Sequence, residues 1–401
     1  MKNEQPSLLG LAHIMRMAFD GQSLHPLFDT LMERATQNPL DANAMMDLST
    51  VLQLNGIHDV GLATLSMALQ VQRVYALPAK RESTVHLLAI MGPGDLMANA
   101  PLPFLVENSD IALTMLYVLP GEPKAMPLPD HDIAFIAVSE SGQTRGLLEQ
   151  LVPQIAAWPK PVIVRPECIL RTSRDNASAL LQHAKGVYVP PTTQTTRPAL
   201  GALCEGPQLV ADLMPGGAFP LIIRPRDSHA GHGLEKVNDT ASLALYLAAS
   251  TESDFFISSF VDYSGTDGLY RKYRVVLVDG TPFAVHMGIS THWMIHYLNA
   301  GMVESAAKRA EEEAFMLHFD QDFAQRHRAA LGHIHQRFGL EYLVIDCAET
   351  SDGDLLVFEV DAGAVVHAMD PTDLFPYKQA AMQKVFDAFR AMLVRKMAPG
   401  G

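Results

Sequence analysis

The stretch LLVFEVDAG, residues 355–363, decides how the chain is interpreted. It has the apolar run of a buried strand, yet it ends with Glu359 and Asp361 two positions apart. Because side chains alternate between the two faces of a strand, both carboxylates point to the same face. Burying two like charges side by side is costly unless a positive charge lies between them. The stretch therefore predicts a bound cation at this end of the strand.

A second acidic strand lies just upstream, in EYLVIDCAETSDGDLLVFEVD, residues 341–361. Asp352-Gly353 is a strong hairpin signal, and Asp346 ends the first of the two strands. An antiparallel hairpin can bring Asp346 to the same end of the same face as Glu359 and Asp361. Three carboxylates suit Mg²⁺, with Mn²⁺ as an alternative, and water or phosphate oxygens would complete the coordination. We therefore predict a metal site at Asp346, Glu359 and Asp361.

Composition limits the functional classes. At 401 residues the chain is too long for one compact core, and its 48% hydrophobic and 18% charged residues are typical of a soluble globular protein. The net charge of −14 argues against nucleic acid as a partner. Three cysteines without metal-ligand spacing fit a reducing cytosol. Residues 8–19 resemble an amphipathic helix more than a signal peptide, and without an 18-residue apolar run we expect a cytoplasmic protein with no membrane partner.

The first 80 residues have helical periodicity. Helices are predicted from residue 25, from Asp41 as N-cap to Gly56, and from residue 58 onward. The pair flanking Asn55-Gly56 resembles a single tetratricopeptide-type hairpin, although such arrays need about three units for stability. Two interpretations stay open for residues 1–80: a helical cap on the neighbouring domain, or a docking surface for a protein or peptide.

Two further domains follow. Residues 81–165 contain four short apolar runs, with a helical pattern between the last two, which predicts a small parallel α/β domain. Residues 166–401 begin with a helix predicted to end at Gly186, and they contain a hairpin at Asp279-Gly280 besides the one at Asp352-Gly353. Long helical segments are predicted over 303–338 and 372–396. The chain is therefore predicted to be α+β in class.

Two basic segments complement the acidic strands. In IIRPRDSHAGHGL, residues 222–234, a strand reaches Arg224, and a loop with Gly231 and Gly233 lets backbone N–H groups approach phosphate closely. In LYRKYRVVLVDG, residues 269–280, Lys272 and Arg274 share one strand face. Cations in such positions can neutralise phosphate or an acyl-phosphate during transfer.

Taken in this order and spacing, residues 161–389 resemble an ATP-grasp enzyme of the carboxylate–amine ligase kind. The similarity is strongest to the ribosomal-protein S6 glutamate-ligase and glutathione-synthetase branches. PVIVRPECILRTSRDNASALL resembles the segment that opens that core, PLIIRPRDSHAGHG its phosphate-covering strand and loop, and VID…VFEVD its paired metal-ligand strands. The resemblance implies an ATP-grasp core, preceded here by the α/β domain and the helical segment.

The resemblance also implies site residues. Arg274 and Arg224 would act in catalysis, and Asp346, Glu359 and Asp361 would hold Mg²⁺. The residues implied for ATP are Arg174, Arg224, Arg226, Ser228, His229, Gly231, Gly233, Lys272 and the backbone of Ser259, Phe260 and Val261. The polar residues His286, His292, His296, Asn299 and His367 are expected to line the substrate site.

The sequence departs from the family at two basic positions. Arg224 stands where the family usually has Lys, and Asn176 replaces the Lys of an Arg-Asp-Lys motif, so Arg174 is expected to supply the missing charge. The implied activity is ATP-dependent amide or peptide-bond formation on an amino acid, small peptide or peptide-derived substrate. A nucleotide-binding scaffold that has lost catalysis and an ATP-grasp-type kinase remain as alternatives. A homodimer is the default expectation for the assembly.

Overall fold

A computed structural model describes residues 6–121, 128–206, 208–228 and 231–398 of the chain. Within these ranges helices alternate with strands that form three sheets. The helices are α1 (Leu11–Phe19), α2 (His25–Gln37), α3 (Ala42–Leu54), α4 (His58–Val71), α5 (Leu102–Val106), α6 (Arg145–Ile155), α7 (Pro166–Ile169), α8 (Arg174–Leu181), α9 (Arg197–Glu205), α10 (Val210–Leu213), α11 (Thr240–Ala249), α12 (Ala306–His318), α13 (Phe323–Arg326), α14 (Arg328–Phe338) and α15 (Pro376–Met397).

The strands complete the α+β architecture that the sequence predicts. They are β1 (Val74–Leu77), β2 (Val85–Met91), β3 (Ile111–Tyr117), β4 (Ile133–Ile136), β5 (Val162–Ile163), β6 (Val187–Tyr188), β7 (Thr192–Thr196), β8 (Leu221–Pro225), β9 (Glu235–Val237), β10 (Asp254–Ser259), β11 (Tyr270–Val278), β12 (Thr281–Ser290), β13 (Tyr342–Glu349) and β14 (Leu355–Asp361). No helix in the described part of the chain is both long and apolar enough to span a membrane.

The N-terminal segment is helical, as expected, up to Val71. Asp41 caps α3 by accepting a hydrogen bond from the Ala44 N–H at 2.9 Å. The helical prediction extends too far, because β1 lies within residues 1–80 and pairs with β3. Its Val and Tyr side chains favour a strand, and pairing at a sheet edge satisfies its backbone groups. The tetratricopeptide-like character of residues 1–80 stays a prediction.

The first sheet has the strand order β1-β3-β2-β4-β5. All its pairings are parallel except β1 with β3, and α6 connects β4 to β5. The four apolar runs of residues 81–165 are thus the parallel strands β2 to β5. The domain boundaries at residues 80 and 165 stay predictions.

The second and third sheets contain the antiparallel hairpins. The second has the order β7-β10-β8-β9, and the third has the order β12-β11-β13-β14-β6 with only β6 parallel to its neighbour. Asp279 (φ 49°) and Gly280 (φ 80°) form the β11–β12 turn, in the left-handed region that such two-residue turns require. In the third sheet, Asp346 lies directly opposite Glu359.

Two predicted helices are interrupted. The helix expected to continue to Gly186 is divided into α7, a 3-10 turn at Leu170–Thr172, and α8, because Ser173 has extended backbone (ψ 146°). The interruption places Arg174 in the first turn of α8. The segment 303–338 likewise forms three helices, α12 to α14, instead of one.

The apolar core is continuous between the first and third sheets. Phe135 of β4, Tyr342 of β13 and Phe389 of α15 form a triangle of ring contacts at 5.6–6.2 Å between centroids. The second sheet has a separate core, which includes Ile223 and Phe255. The candidate site lies between these two cores.

Candidate functional site

A cavity of about 460 Å³ lies between the second and third sheets. It collects most of the residues that the sequence analysis proposes for a site. They are Arg174, Arg224, Gly231, Ser259, Phe260, Val261, Lys272, Arg274, His286, His296, Asn299, Asp346, Glu359, Asp361 and His367.

The remaining proposed residues lie elsewhere. Arg226 and Ser228 line a side cavity of about 60 Å³ that shares Arg174 and Glu359 with the main cavity. Gly233 and His292 line neither cavity. A Cβ atom at Gly233 would lie 2.7 Å from Pro225 Cδ, and the φ of +65° also requires glycine there, so this residue shapes the loop. His229 lies outside the described residues.

Asp346 is buried and forms ion pairs with two basic side chains, Arg274 and Lys272. Arg274 binds it in a bidentate manner, with Nε 2.7 Å from Oδ1 and Nη2 3.0 Å from Oδ2, and Lys272 Nζ lies 2.7 Å from Oδ2. Burial alone would raise the pKa of Asp346, but Arg274 and Lys272 outweigh burial and hold the pKa well below its ordinary value. Lys272 and Arg274 do share one strand face, as predicted, and Asp346 is their common partner.

Glu359 has an arginine partner as well. Its Oε1 lies 2.7 Å from Arg174 Nη2, and this carboxylate side chain is 37% exposed, toward the cavity. Burial would raise the pKa of Glu359, but Arg174 and the nearby Arg224 lower it below its ordinary value. The neighbouring Asp361 accepts a hydrogen bond from the Gly363 N–H at 2.7 Å.

The three acidic residues thus share one face, and the cations beside them come from the protein itself. Both oxygens of Asp346 are held by Arg274 and Lys272, whereas Glu359 and Asp361 present carboxylates of the type that Mg²⁺ prefers. Among the residues that the structure describes, no group of three or more His, Cys, Asp or Glu side chains is arranged to hold a metal ion. Metal binding by Asp346, Glu359 and Asp361 stays a prediction.

Arg224 differs from the other cations of the cavity. Its guanidinium donates to Ser228 Oγ at 3.2 Å and to the Ser228 carbonyl, and it forms no ion pair with a carboxylate of the described residues. Burial, together with the charge of Arg174, lowers the pKa of Arg224 to about 9. A half-buried guanidinium without a direct carboxylate partner favours binding of an anion.

The end of the cavity near β10 fits the adenine prediction in part. Ser259, Phe260 and Val261 all line it. The Phe260 N–H, however, already donates to the Pro220 carbonyl at 3.0 Å, so a hydrogen bond to a base would have to come from Ser259 or Val261. Sequence reasoning missed Trp293, whose ring lies 5.8 Å from that of Phe260.

At the other end, the histidines are held by aromatic neighbours. His286 stacks on Tyr297 at 4.3 Å, and His367 lies 5.4 Å from the Phe19 ring and 6.1 Å from the Phe104 ring. Burial is the main cause that lowers the pKa of His367, to about 4, and that of His286 well below its ordinary value. Both imidazoles are therefore neutral at pH 7.

Beneath these histidines lies a buried polar cluster that sequence reasoning also missed. Lys378 Nζ is 3.4 Å from Glu312 Oε1 and 3.2 Å from Asp370 Oδ1. The hydroxyl groups of Tyr297 and Tyr377 donate to Glu312 Oε2 at 3.0 and 2.7 Å. No signal in the sequence distinguishes Lys378 from a solvent-facing lysine of α15, since only the tertiary packing buries it.

Comparisons of the fold match the chain to several solved structures. The RimK domain protein ATP-grasp from Sphaerobacter thermophilus matches at 16% identity over 77% of this chain and 99% of its own, with a TM-score of 0.41. The D-alanine–D-alanine ligase from Bacillus anthracis complexed with ATP matches at 16% identity over 76% and 99%, with a TM-score of 0.40. The VanG D-Ala:D-Ser ligase from Enterococcus faecalis matches at 13% identity over 78% and 99%, with a TM-score of 0.45.

No protein-family description matches the chain, and no curated protein matches it in sequence. The described helices and sheets themselves show the α+β class that the sequence predicts. At 13–16% identity and with TM-scores of 0.40–0.45, these matches assign no activity to the chain, whose function is inferred from the residues of the cavity.

Proposed function

We propose that this protein is an ATP-dependent carboxylate–amine ligase, with residues 166–401 as its nucleotide-binding domain. The observation that carries the proposal is Arg224. It is a half-buried cation that faces the cavity without a direct carboxylate partner, next to Arg174 and beside the acidic face of β13 and β14. Such a group favours a polyanion, and the phosphates of a nucleotide supply one.

The reaction would have two balanced steps. A substrate carboxylate oxygen attacks the γ-phosphorus of ATP, the bond to the bridging oxygen breaks, and ADP leaves with that electron pair. The substrate amine then attacks the acyl carbon, phosphate leaves, and the amine loses a proton as the amide forms. Arg224 would hold the transferred phosphoryl group, and Arg274, kept in place by Asp346, would face the developing negative charge.

Magnesium belongs to the same proposal, with Mn²⁺ as an alternative. Glu359 and Asp361 would hold the ion, which would supply positive charge next to the nucleotide phosphates. Asp346, whose two oxygens are bound by Arg274 and Lys272, would join them as a ligand only on releasing Lys272. Arg174 is already paired with Glu359, so it would help to keep that carboxylate ionised at the cavity wall.

Product analysis tests the proposal. The protein is incubated with ATP, Mg²⁺ and a panel of amino acids and short peptides whose carboxylates are labelled with ¹⁸O. A ligase transfers one labelled oxygen into inorganic phosphate and forms an amide together with ADP. A stable phosphorylated product would instead identify a kinase, and nucleotide binding without turnover on the whole panel would identify a scaffold.

A pair of variants serves as the control for this assay. Arg224→Met should abolish turnover, whereas Arg326→Met, which removes a guanidinium paired with Asp322 and Glu349 outside the cavity, should retain it. Equal activity in wild type and Arg224→Met would contradict the proposed role of Arg224.

A further inference from the structure

One wall of the cavity comes from the N-terminal helix α1. Met15 and Phe19 line the cavity although they lie more than 150 residues before Arg174, the first cation of the site. They are spaced four positions apart, so they project from one face of the helix. Leu11, one turn earlier, packs with Phe104 and Met369 on the same stripe.

The helix is held in place from three directions. The buried carboxylate of Asp47 accepts hydrogen bonds from the N–H groups of Leu9 and Gly10, at 2.9 and 3.0 Å, just before α1 begins. Arg16 forms an ion pair with Glu107, and Ile14 is fully buried against α2 and α3. The wall is therefore preformed, and its two cavity-facing side chains have a defined position.

Beside this wall the cavity is lined by further apolar side chains, including Val365, which belongs to the same apolar cluster as Met15 and Leu11. Phe19 contacts the His367 ring at 5.4 Å. Two charged groups that line the cavity already have ion-pair partners, Arg274 with Asp346 and Asp370 with Lys378. This end contrasts with the region of Arg224, whose guanidinium has no carboxylate ion-pair partner among the described residues.

We propose that Phe19 and Met15 determine which substrate the enzyme accepts, and that the amino acid or peptide bound here carries an apolar side chain that packs against them. The phosphates are expected at Arg224, so this end is left for the ligated substrate. An apolar substrate side chain packed against Met15 and Phe19 removes apolar surface from water, which favours binding. A charged substrate side chain would lose its hydration there without finding an ion-pair partner. The inference rests on the proposed ligase function and adds the substrate class.

The test uses direct binding as well as turnover. Binding of L-leucine, L-phenylalanine, L-glutamate and L-lysine is measured by calorimetry on the full chain in the presence of ADP. We expect wild type to prefer the two apolar amino acids. Phe19→Ala should weaken their binding about tenfold or more and raise KM with little change in kcat, because the lost contact is present in ground and transition states alike.

Two further variants make the result specific. Phe19→Leu, which keeps an apolar side chain, should restore most of the affinity, and Met67→Ala, on the exposed face of α4, should behave as wild type. Phe19 is itself 36% exposed, so its truncation should leave the melting temperature and the ADP affinity nearly unchanged.

The outcomes separate the two proposals. Unchanged affinity for the apolar amino acids in Phe19→Ala, or a wild-type preference for glutamate or lysine, would overturn the inference. If Phe19→Ala loses apolar binding while no amide forms with any substrate, the specificity wall is supported and the ligase proposal fails.

Discussion

Replacing Glu359 by glutamine tests whether this carboxylate acts as a counter-ion for the arginines of the cavity. The change removes the partner of Arg174 at 2.7 Å and leaves two guanidinium groups, Arg174 and Arg224, next to each other. Breaking a fully buried pair costs about 3–5 kcal/mol, whereas an exposed pair contributes less than about 1 kcal/mol. The Glu359 side chain is 37% exposed and that of Arg174 is 20% exposed, so we expect Glu359→Gln to lower the free energy of unfolding by an intermediate amount, about 1–3 kcal/mol.

The assay is denaturant unfolding of the ligand-free protein, with Glu313→Gln on the exposed face of α12 as the matched control. A double-mutant cycle with Arg174→Met isolates the pair and should give a coupling of about 1 kcal/mol or more. Phosphate without divalent ions should stabilise Glu359→Gln more than wild type, because it replaces the missing negative charge. A variant as stable as wild type, with no coupling to Arg174, would refute the counter-ion role and favour the metal-ligand role, in which removing a repelling carboxylate preserves or increases stability.

Two more predictions concern single charged side chains, Arg224 and Asp47. Arg224→Met should weaken ATP binding about 10- to 100-fold because it removes charge-assisted hydrogen bonds to phosphate, and it should not lower stability because it also removes a desolvated cation. Calorimetry with ATP, with Arg224→Lys for comparison, measures the affinity. Unchanged ATP affinity in Arg224→Met would contradict the prediction. Asp47 has its pKa raised by burial to about 6. Because the pKa of Asp47 is higher in the folded than in the unfolded protein, its contribution to the free energy of unfolding should fall by about 3 kcal/mol as the pH rises from about 4 to 6. The free energy of unfolding of Asp47→Asn, measured with urea at each pH, should not show this decline. If the free energies of wild type and variant change with pH in parallel, Asp47 does not titrate in this way.

Local patterns predicted much of the third sheet. The turn at Asp279-Gly280 needs residues that adopt positive φ, and the period of two in β14 places Glu359 and Asp361 on one face. These features depend on neighbours in the sequence. The three predicted acids line one cavity together with Arg174, Arg224, Lys272 and Arg274, whereas Arg226 lines the side cavity. The roles of these residues stay predictions.

The pairing of these charges could not be predicted in the same way. Arg274 meets Asp346 because β11 and β13 pair in one register out of several, and that register is set by packing of segments 72 residues apart. The position of α1 depends on even more distant contacts. Its amphipathic pattern shows that one face is covered, but only the folded chain shows that Phe19 covers the cavity beside His367.

The separation of the two cores has a consequence for how the molecule opens. The second sheet packs around its own cluster, including Leu200, Leu243 and Phe255, whereas the core that joins the first and third sheets continues from Leu87 to Leu393. Displacing the second sheet therefore does not expose the larger core to water. We expect such a local opening to cost less free energy than global unfolding. A ligand that enters between the sheets should then leave the amide protons of the larger core protected from hydrogen exchange.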